Sequence, residues 1–312
     1  MNNWISNRII TRVWGLSALC LALPASLAQG GLYLVTTTTM VRDMVQAVAG
    51  EGATVEGLMG PGVDPHLYKP VASDMARLRK ADAVFYSGLL LEGKMEHLFK
   101  KMQRRGDPVF GVTGTLEPKR LLKPAEFEGH YDPHVWGDMA LWRTCVPEVV
   151  KGLCIVDPAK AATYRSNGKR YMKALQDLDE WVKKRVALVP ESSRILVTSH
   201  DAFNYFGKAY GFRVVAVQGI STVTEAGLAD IVKMVDFIKD QNVKAIFVES
   251  SVNPAAIRRI SEDAGVRVGG SLFSDAMGTP GRMHGVGLER YDEGTFDGMI
   301  KHNVNTVVDA LK

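Results

Sequence analysis

Residues 157–189 constrain this chain more than any other stretch. Asp157 and Pro158 make a helix start, because an Asp carboxylate accepts the orphan amide protons of a first turn and Pro tolerates the first helical position; Pro190 is the stop. Between them Ala161, Tyr164, Gly168, Tyr171, Leu175, Leu178, Val182 and Val186 recur at gaps of three and four, which gathers the apolar side chains on one stripe. At ~1.5 Å per residue this predicts one helix of roughly 45 Å. So long a helix, in a chain that otherwise alternates short strands with ordinary helices, reads as a rigid spine joining two lobes. Two lobes define a cleft. The residues best suited to bind something there fall on either side of the helix, with His66 and His134 before it and His200 and Asp275 after it.

With 312 residues, 46% of them hydrophobic, the chain can bury one large core or two modest ones. Residues 1–28 hold Arg8, Arg12, no acid, an apolar run over 13–23, then Pro24 and Ser26-Leu27-Ala28. This is the layout of a secretory signal peptide, with cleavage expected after Ala28, and its apolar run is too short to span a bilayer. Cys20 follows Leu19, where a lipoprotein signal needs a small residue, so a soluble exported protein is expected, periplasmic and monomeric. Cleavage removes two Arg and no acid, taking the formal charge from +4 to +2, too little to imply binding to nucleic acid or a membrane surface. Cys145 and Cys154 remain, nine residues apart in a helical run over 138–154. At ~1.5 Å per residue their Cα atoms lie about 13 Å apart, beyond disulfide reach, although Pro147 kinks or restarts that helix. Both read as buried thiols.

Strands are predicted at 32–37, 53–59, 83–86 and 108–112, with helices between them, and the alternation resumes after the spine at 194–198, 212–217, 243–248 and 266–268. A Gly-rich loop and a last helix over 292–311 follow. Alternation at this spacing means βαβ units and mainly parallel sheets. The expected organisation is an α/β fold with a signal peptide at 1–28, an N-terminal lobe at 29–156, the linking helix at 157–189 and a C-terminal lobe at 190–312. Ligands of such sheets bind beyond the carboxyl ends of the strands, and His66, His200 and Asp275 each closely follow a predicted strand.

The sharpest local signal is an internal echo. Asp64-Pro65-His66-Leu67-Tyr68 and Asp132-Pro133-His134-Val135-Trp136 share Asp-Pro-His followed by an aliphatic and an aromatic residue. Pro sets its own φ and pushes the preceding residue extended, so each His is presented from a stiff loop. His200 lies where a hydrophobic strand gives way to a helix, and Asp275 lies in the loop 269–278. Singly, each could be ordinary turn or cap chemistry. Together, three imidazoles and one carboxylate supply what a first-row divalent metal needs.

Gly60-Pro61-Gly62-Val63-Asp64-Pro65-His66, the second Asp-Pro-His segment, Thr198-Ser199-His200-Asp201-Ala202-Phe203, Phe247-Val248-Glu249-Ser250-Ser251 and Leu272-Phe273-Ser274-Asp275-Ala276-Met277-Gly278 closely resemble the TroA-like, ZnuA-like zinc/manganese solute-binding proteins of ABC transporters. The likeness covers essentially the whole mature chain. It implies that His66, His134, His200 and Asp275 are the metal ligands, that two α/β lobes flank one long helix, and that the partner is a membrane permease. Glu249, ending a strand on the cleft side, is placed to hold a ligating His ring. His97, His130, His284 and His302 read as structural or solvated.

A metal-dependent hydrolase and a surface adhesin are the competing readings. The chain has no His-Glu-x-x-His helix, no Gly-x-Ser-x-Gly elbow and no phosphate loop. Three imidazoles suit zinc, which outranks manganese at nitrogen and oxygen sites. Manganese-dedicated members resembling this chain carry Glu at the third His position, whereas this chain has His200. The His-rich acidic loop of many zinc-dedicated members is absent between Tyr68 and Asp132. Zinc is therefore favoured, with manganese retained and iron third.

Overall fold

Short runs of β-branched and aromatic residues pair in parallel to build two separate sheets. The computed structural model describes Met1 and residues 31–127 and 129–312; the expected signal peptide and its cleavage point lie outside the described residues. In chain order the first sheet takes β1 (Leu32–Thr36), β2 (Ala53–Gly57), β3 (Ala83–Tyr86) and β4 (Val109–Gly111), connected by α1 (Thr39–Ala49), α2 (Ala72–Lys80) and α3 (Met95–Arg104). The strand order is β2-β1-β3-β4, all parallel. β3 is buried along its whole length, as a strand covered on both faces requires.

A connection through α4 (Met139–Trp142) and α5 (Val146–Val156) leads to α6 (Ala161–Val186). The run predicted as one helix over 138–154 is broken by a 3-10 turn at Arg143–Cys145, and Pro147 sits in the first turn of α5, where its missing N–H costs nothing. Cys145 is buried and Cys154 only half-buried, and neither is paired.

The spine is shorter than the periodicity predicts. Pro158–Lys160 forms a 3-10 turn ahead of α6, and the chain leaves helical geometry at Val186 rather than at Pro190. Asp157 does not cap with its side chain; its carboxylate accepts the Tyr164 hydroxyl at 2.8 Å instead. The stripe is as expected, with Tyr164, Gly168, Leu175, Leu178, Val182 and Val186 buried. Burying each of the larger apolar members stabilises the fold by ~1.5–3 kcal/mol.

After α6 the second sheet follows with β5 (Ile195–Thr198), α7 (Asn204–Tyr210), β6 (Arg213–Ala216), α8 (Leu228–Asp240), β7 (Ala245–Glu249), α9 (Ala255–Ala264) and β8 (Arg267–Leu272). Its order, β6-β5-β7-β8, repeats that of the first sheet. β8 continues through Gly269 and Gly270, which sequence places in a loop. A register shift at Ile246/Phe247 accommodates them, and a Cβ on Gly269 would stand 2.7 Å from the Phe247 ring and 2.8 Å from Ala310. A short antiparallel hairpin, β9 (Met283–His284) with β10 (Tyr291–Asp292), then precedes α10 (Phe296–Leu311). This hairpin has no periodic signature, and residues 292–295, predicted as the start of the last helix, are not helical: Asp292 ends β10 and Thr295 caps α10.

One apolar cluster runs from Leu34, Met44 and Phe85 in the first lobe through Trp142, Leu175 and Val182 into Phe247, Phe296 and Val308 of the second. Smaller clusters close the outer faces, around Val35 and Phe99 in one lobe and Val197 and Ile257 in the other. The lobes thus share an interior beneath α6. Asp43 ties three helices together, its carboxylate accepting the Tyr171 hydroxyl of α6 at 2.8 Å and the Phe296 N–H at the start of α10 at 3.3 Å. Among the described residues no helix is long and apolar enough to cross a membrane.

Candidate metal centre

Both Asp-Pro-His loops fold the same way. The Asp64 Oδ1 accepts the His66 N–H at 2.8 Å and the Asp132 Oδ1 accepts the His134 N–H at 2.9 Å, so each Asp closes a turn over the intervening Pro and holds its His in place. In the second lobe the strand order reverses between β5 and β7, the point where open α/β sheets bind ligands. His200 leaves the end of β5 there. Glu249, ending β7, accepts the His200 N–H at 2.9 Å with one oxygen and contacts Nδ1 at 2.5 Å with the other. Asp275 follows β8, and the chain around it is held to the first lobe. Trp136 Nε1 donates to the Ser274 carbonyl at 3.0 Å, and the Met277 N–H donates to the Thr39 hydroxyl at 2.8 Å.

These four side chains meet. One donor atom from each of His66, His134, His200 and Asp275 lies within 4.8 Å of the other three, and all four residues are buried. His66 Nε2 is 3.4 Å from His134 Nε2, His134 Nε2 is 3.3 Å from Asp275 Oδ1, and His200 Nε2 is 3.1 Å from Asp275 Oδ2. Donors placed tetrahedrally ~2.1 Å from a zinc ion stand ~3.4 Å apart, so the observed spacings fit a single ion. His200 Nε2 and both Asp275 oxygens are buried without a hydrogen-bond partner. A buried unpaired polar atom costs ~1–3 kcal/mol, and three in one place suit a cation that satisfies all of them.

Two of the rings are aimed from behind. Asp132 Oδ1 lies 2.8 Å from His134 Nδ1 and Glu249 Oε2 lies behind His200 Nδ1, so each carboxylate takes the Nδ1–H and leaves Nε2 facing the other donors. Asp132 is itself held by Asn204 Nδ2 at 3.3 Å. The role of Asp132 was legible only in hindsight from its position two residues before a candidate ligand. His130 is not part of the cluster; it is exposed, with its ring edge against Phe127.

The electrostatics follow from this layout. Burial drives the His66 imidazole down to about 3, so that ring is neutral. Burial also opposes charge on His134, but the Asp132 and Asp275 carboxylates outweigh it and lift this ring to about 9. Against the same burial, Glu249 and Asp275 hold His200 well above its ordinary value. Asp275, whose burial would raise it, is kept well below the usual carboxylate range by the His200 and His134 rings. A divalent ion entering here meets a charged carboxylate and displaces protons from two imidazoles.

Comparison with known proteins agrees with this geometry. The chain matches ZnuA, described as zinc-uptake complex component A periplasmic, over residues 34–310. It is 42% identical over 286 residues to the manganese-binding lipoprotein MntA of Bacillus subtilis, covering 90% of each chain. It is 41% identical over 289 residues to the zinc-binding protein TroA of Treponema pallidum, covering 91% of this chain and 90% of that one. The solved structure of the periplasmic zinc binding protein TroA from Treponema pallidum superposes with a TM-score of 0.84 at 39% identity, covering 90% of this chain and 99% of that chain. Because the match spans both sheets and the helix between them, this chain belongs to the ZnuA family, whose members are metal-binding solute-binding proteins of ABC transporters.

Proposed function

We propose that this protein is exported to the periplasm, captures one divalent transition-metal ion as its cargo through His66, His134, His200 and Asp275, and hands it to the membrane permease of an ABC transporter. The observation that carries this reading is the convergence of two donors from each lobe on one buried point, with His200 Nε2 and both Asp275 oxygens left for an ion to satisfy. Zinc is the favoured cargo, because three imidazoles and one carboxylate are nitrogen-rich and zinc outranks manganese and iron at such sites. The relatives' names, one for manganese and one for zinc, support a site that both ions can enter.

Binding rather than hydrolysis is supported by the carboxylates next to the donors. Asp132 and Glu249 are both occupied with imidazole N–H groups, so neither is free to act as a general base on a metal-bound water. Elemental analysis of protein purified from its native compartment without chelator is expected to find one equivalent of metal, mostly zinc. His200→Ala is expected to lose it on dialysis. A full equivalent held by His200→Ala with unchanged affinity would overturn the assignment.

A further inference from the structure

His284 and His302, which sequence offers only as structural or solvated residues, are brought together with Glu293. One donor atom from each of the three lies within 4.8 Å of the others. They come from β9, from the residue just after β10, and from the middle of α10, so the fold assembles the cluster from three places. It shares no residue with the four-donor centre.

We propose that His284, Glu293 and His302 form a second, weaker binding site for a divalent transition-metal ion, zinc by preference, with water completing the coordination.

The alternative is that His284 and Glu293 merely pin the hairpin to the body, since Nε2 and Oε2 are 2.6 Å apart. Three features exceed what a pin needs. First, Glu293 is 2% exposed, and its other oxygen is already engaged, accepting the Thr279 N–H at 3.1 Å with Arg282 at 3.6 Å. That leaves Oε2 directed at the imidazoles, as an oriented metal-ligating carboxylate would be. Second, a further imidazole is present. His302 Nε2 donates to the Ser271 carbonyl at 2.9 Å, which leaves Nδ1 with its lone pair, the usual arrangement behind a metal-bound His. Third, the rings are held rather than free, with His284 stacked on Tyr291 at 5.6 Å and His302 against Phe273 at 4.7 Å between centroids.

Two imidazoles and one carboxylate with both His residues half-buried make an open site. Such a set suits zinc and its first-row neighbours, and its three protein donors bind more weakly than four. On binding, the N–H···O bond between His284 and Glu293 is exchanged for one bond from each to the ion. The proton moves to His284 Nδ1 or to water.

Calorimetric titration of the mature full chain with zinc chloride, after loading one equivalent, tests this. A second, weaker binding event is expected, and His302→Ala should weaken it at least tenfold while the first event stays unchanged. The proposal is overturned if the chain takes up only one equivalent, or if His302→Ala binds the second with unchanged affinity. Should His302→Ala fail to fold, His284→Gln provides the same comparison. The cleft assignment is tested separately, because it fails through an unchanged first event in His200→Ala.

Discussion

The Asp64 carboxylate accepts the Thr222 hydroxyl at 2.6 Å, so a loop of the first lobe is bonded directly to a loop of the second. Asp132, its counterpart in the other Asp-Pro-His loop, is also bonded across, accepting from Asn204 Nδ2 at 3.3 Å, and in addition turns Oδ1 to the His134 ring. The same three residues therefore bridge the lobes in both copies, and in the second copy the carboxylate also aims a donor.

Removing the Thr222 hydroxyl should loosen the closed cleft. A hydrogen bond to a charged group is worth ~1.5–3 kcal/mol, and burial already raises the pKa of Asp64, so its carboxylate tolerates the loss of a donor poorly. Thr222→Val is expected to speed zinc release about tenfold or more when bound metal is chased with a chelator in a stopped-flow experiment. An unchanged release rate would show that this contact does not gate the ion.

The carboxylates behind the rings should matter nearly as much as the donors. Glu249→Gln and Asp132→Asn each keep shape but lose the charge that holds an imidazole N–H, a change that typically costs ~10–100-fold in metal affinity. Competition against a chromogenic chelator measures it. Wild-type affinity in both variants would mean that His134 and His200 hold their orientation without help.

Protons should compete with metal over a higher range than free imidazoles suggest. An unperturbed imidazole gives up its proton near ~6.5. His134, lifted to about 9, and His200, also raised, must still shed protons at neutral pH before an ion can bind. Zinc affinity is therefore expected to keep rising from neutral pH toward about 9, with proton release that buffers of different ionisation enthalpy detect. The sign for the metal-free fold is opposite. Because the His134 pKa is raised, its imidazolium contributes stability that is fully present below ~6.5 and is lost as pH rises through about 9. Affinity that is flat above pH 7 would contradict the proton-loaded description of these rings.

His200→Glu should tilt selectivity toward manganese, since a carboxylate is harder than an imidazole. Glu249 is already bonded to His200 through both its oxygens, so the new carboxylate would face a second one. Both ions should bind more weakly, zinc more so, and the zinc-to-manganese affinity ratio should fall about tenfold. An unchanged ratio would place selectivity elsewhere.

α6 should behave as a rigid strut. Gly168 is there for close packing, because a Cβ would stand 2.5 Å from a methyl of Val150. Gly168→Ala gains ~1 kcal/mol of helix propensity, but overpacking costs ~1–3 kcal/mol, so a lower melting temperature is expected. Small-angle scattering of metal-free and metal-loaded protein should differ by loop shifts and a slight tilt of the lobes. A rotation of tens of degrees about the middle of α6 would refute the strut.

The α/β class, the apolar stripe of α6 and the two Asp-Pro-His candidates, His66 and His134, were legible in sequence for local reasons, whereas His200 and Asp275 joined them through the resemblance to the family. Periodicity is set by the geometry of each element, and Asp-Pro-His is stiff wherever it occurs. What needed the tertiary structure were relations between distant segments. Glu249 reaches His200 only because β7 lies beside β5. The extension of β8 through Gly269 depends on Phe247 and Ala310 filling the space a Cβ would need. Asp64 and Asp132 stand at the same place in their motifs, and only the tertiary structure decides what each carboxylate meets: Thr222 for Asp64, and Asn204 together with the His134 ring for Asp132. His284, Glu293 and His302 carry no shared motif, and their meeting is a consequence of where the hairpin lies on α10.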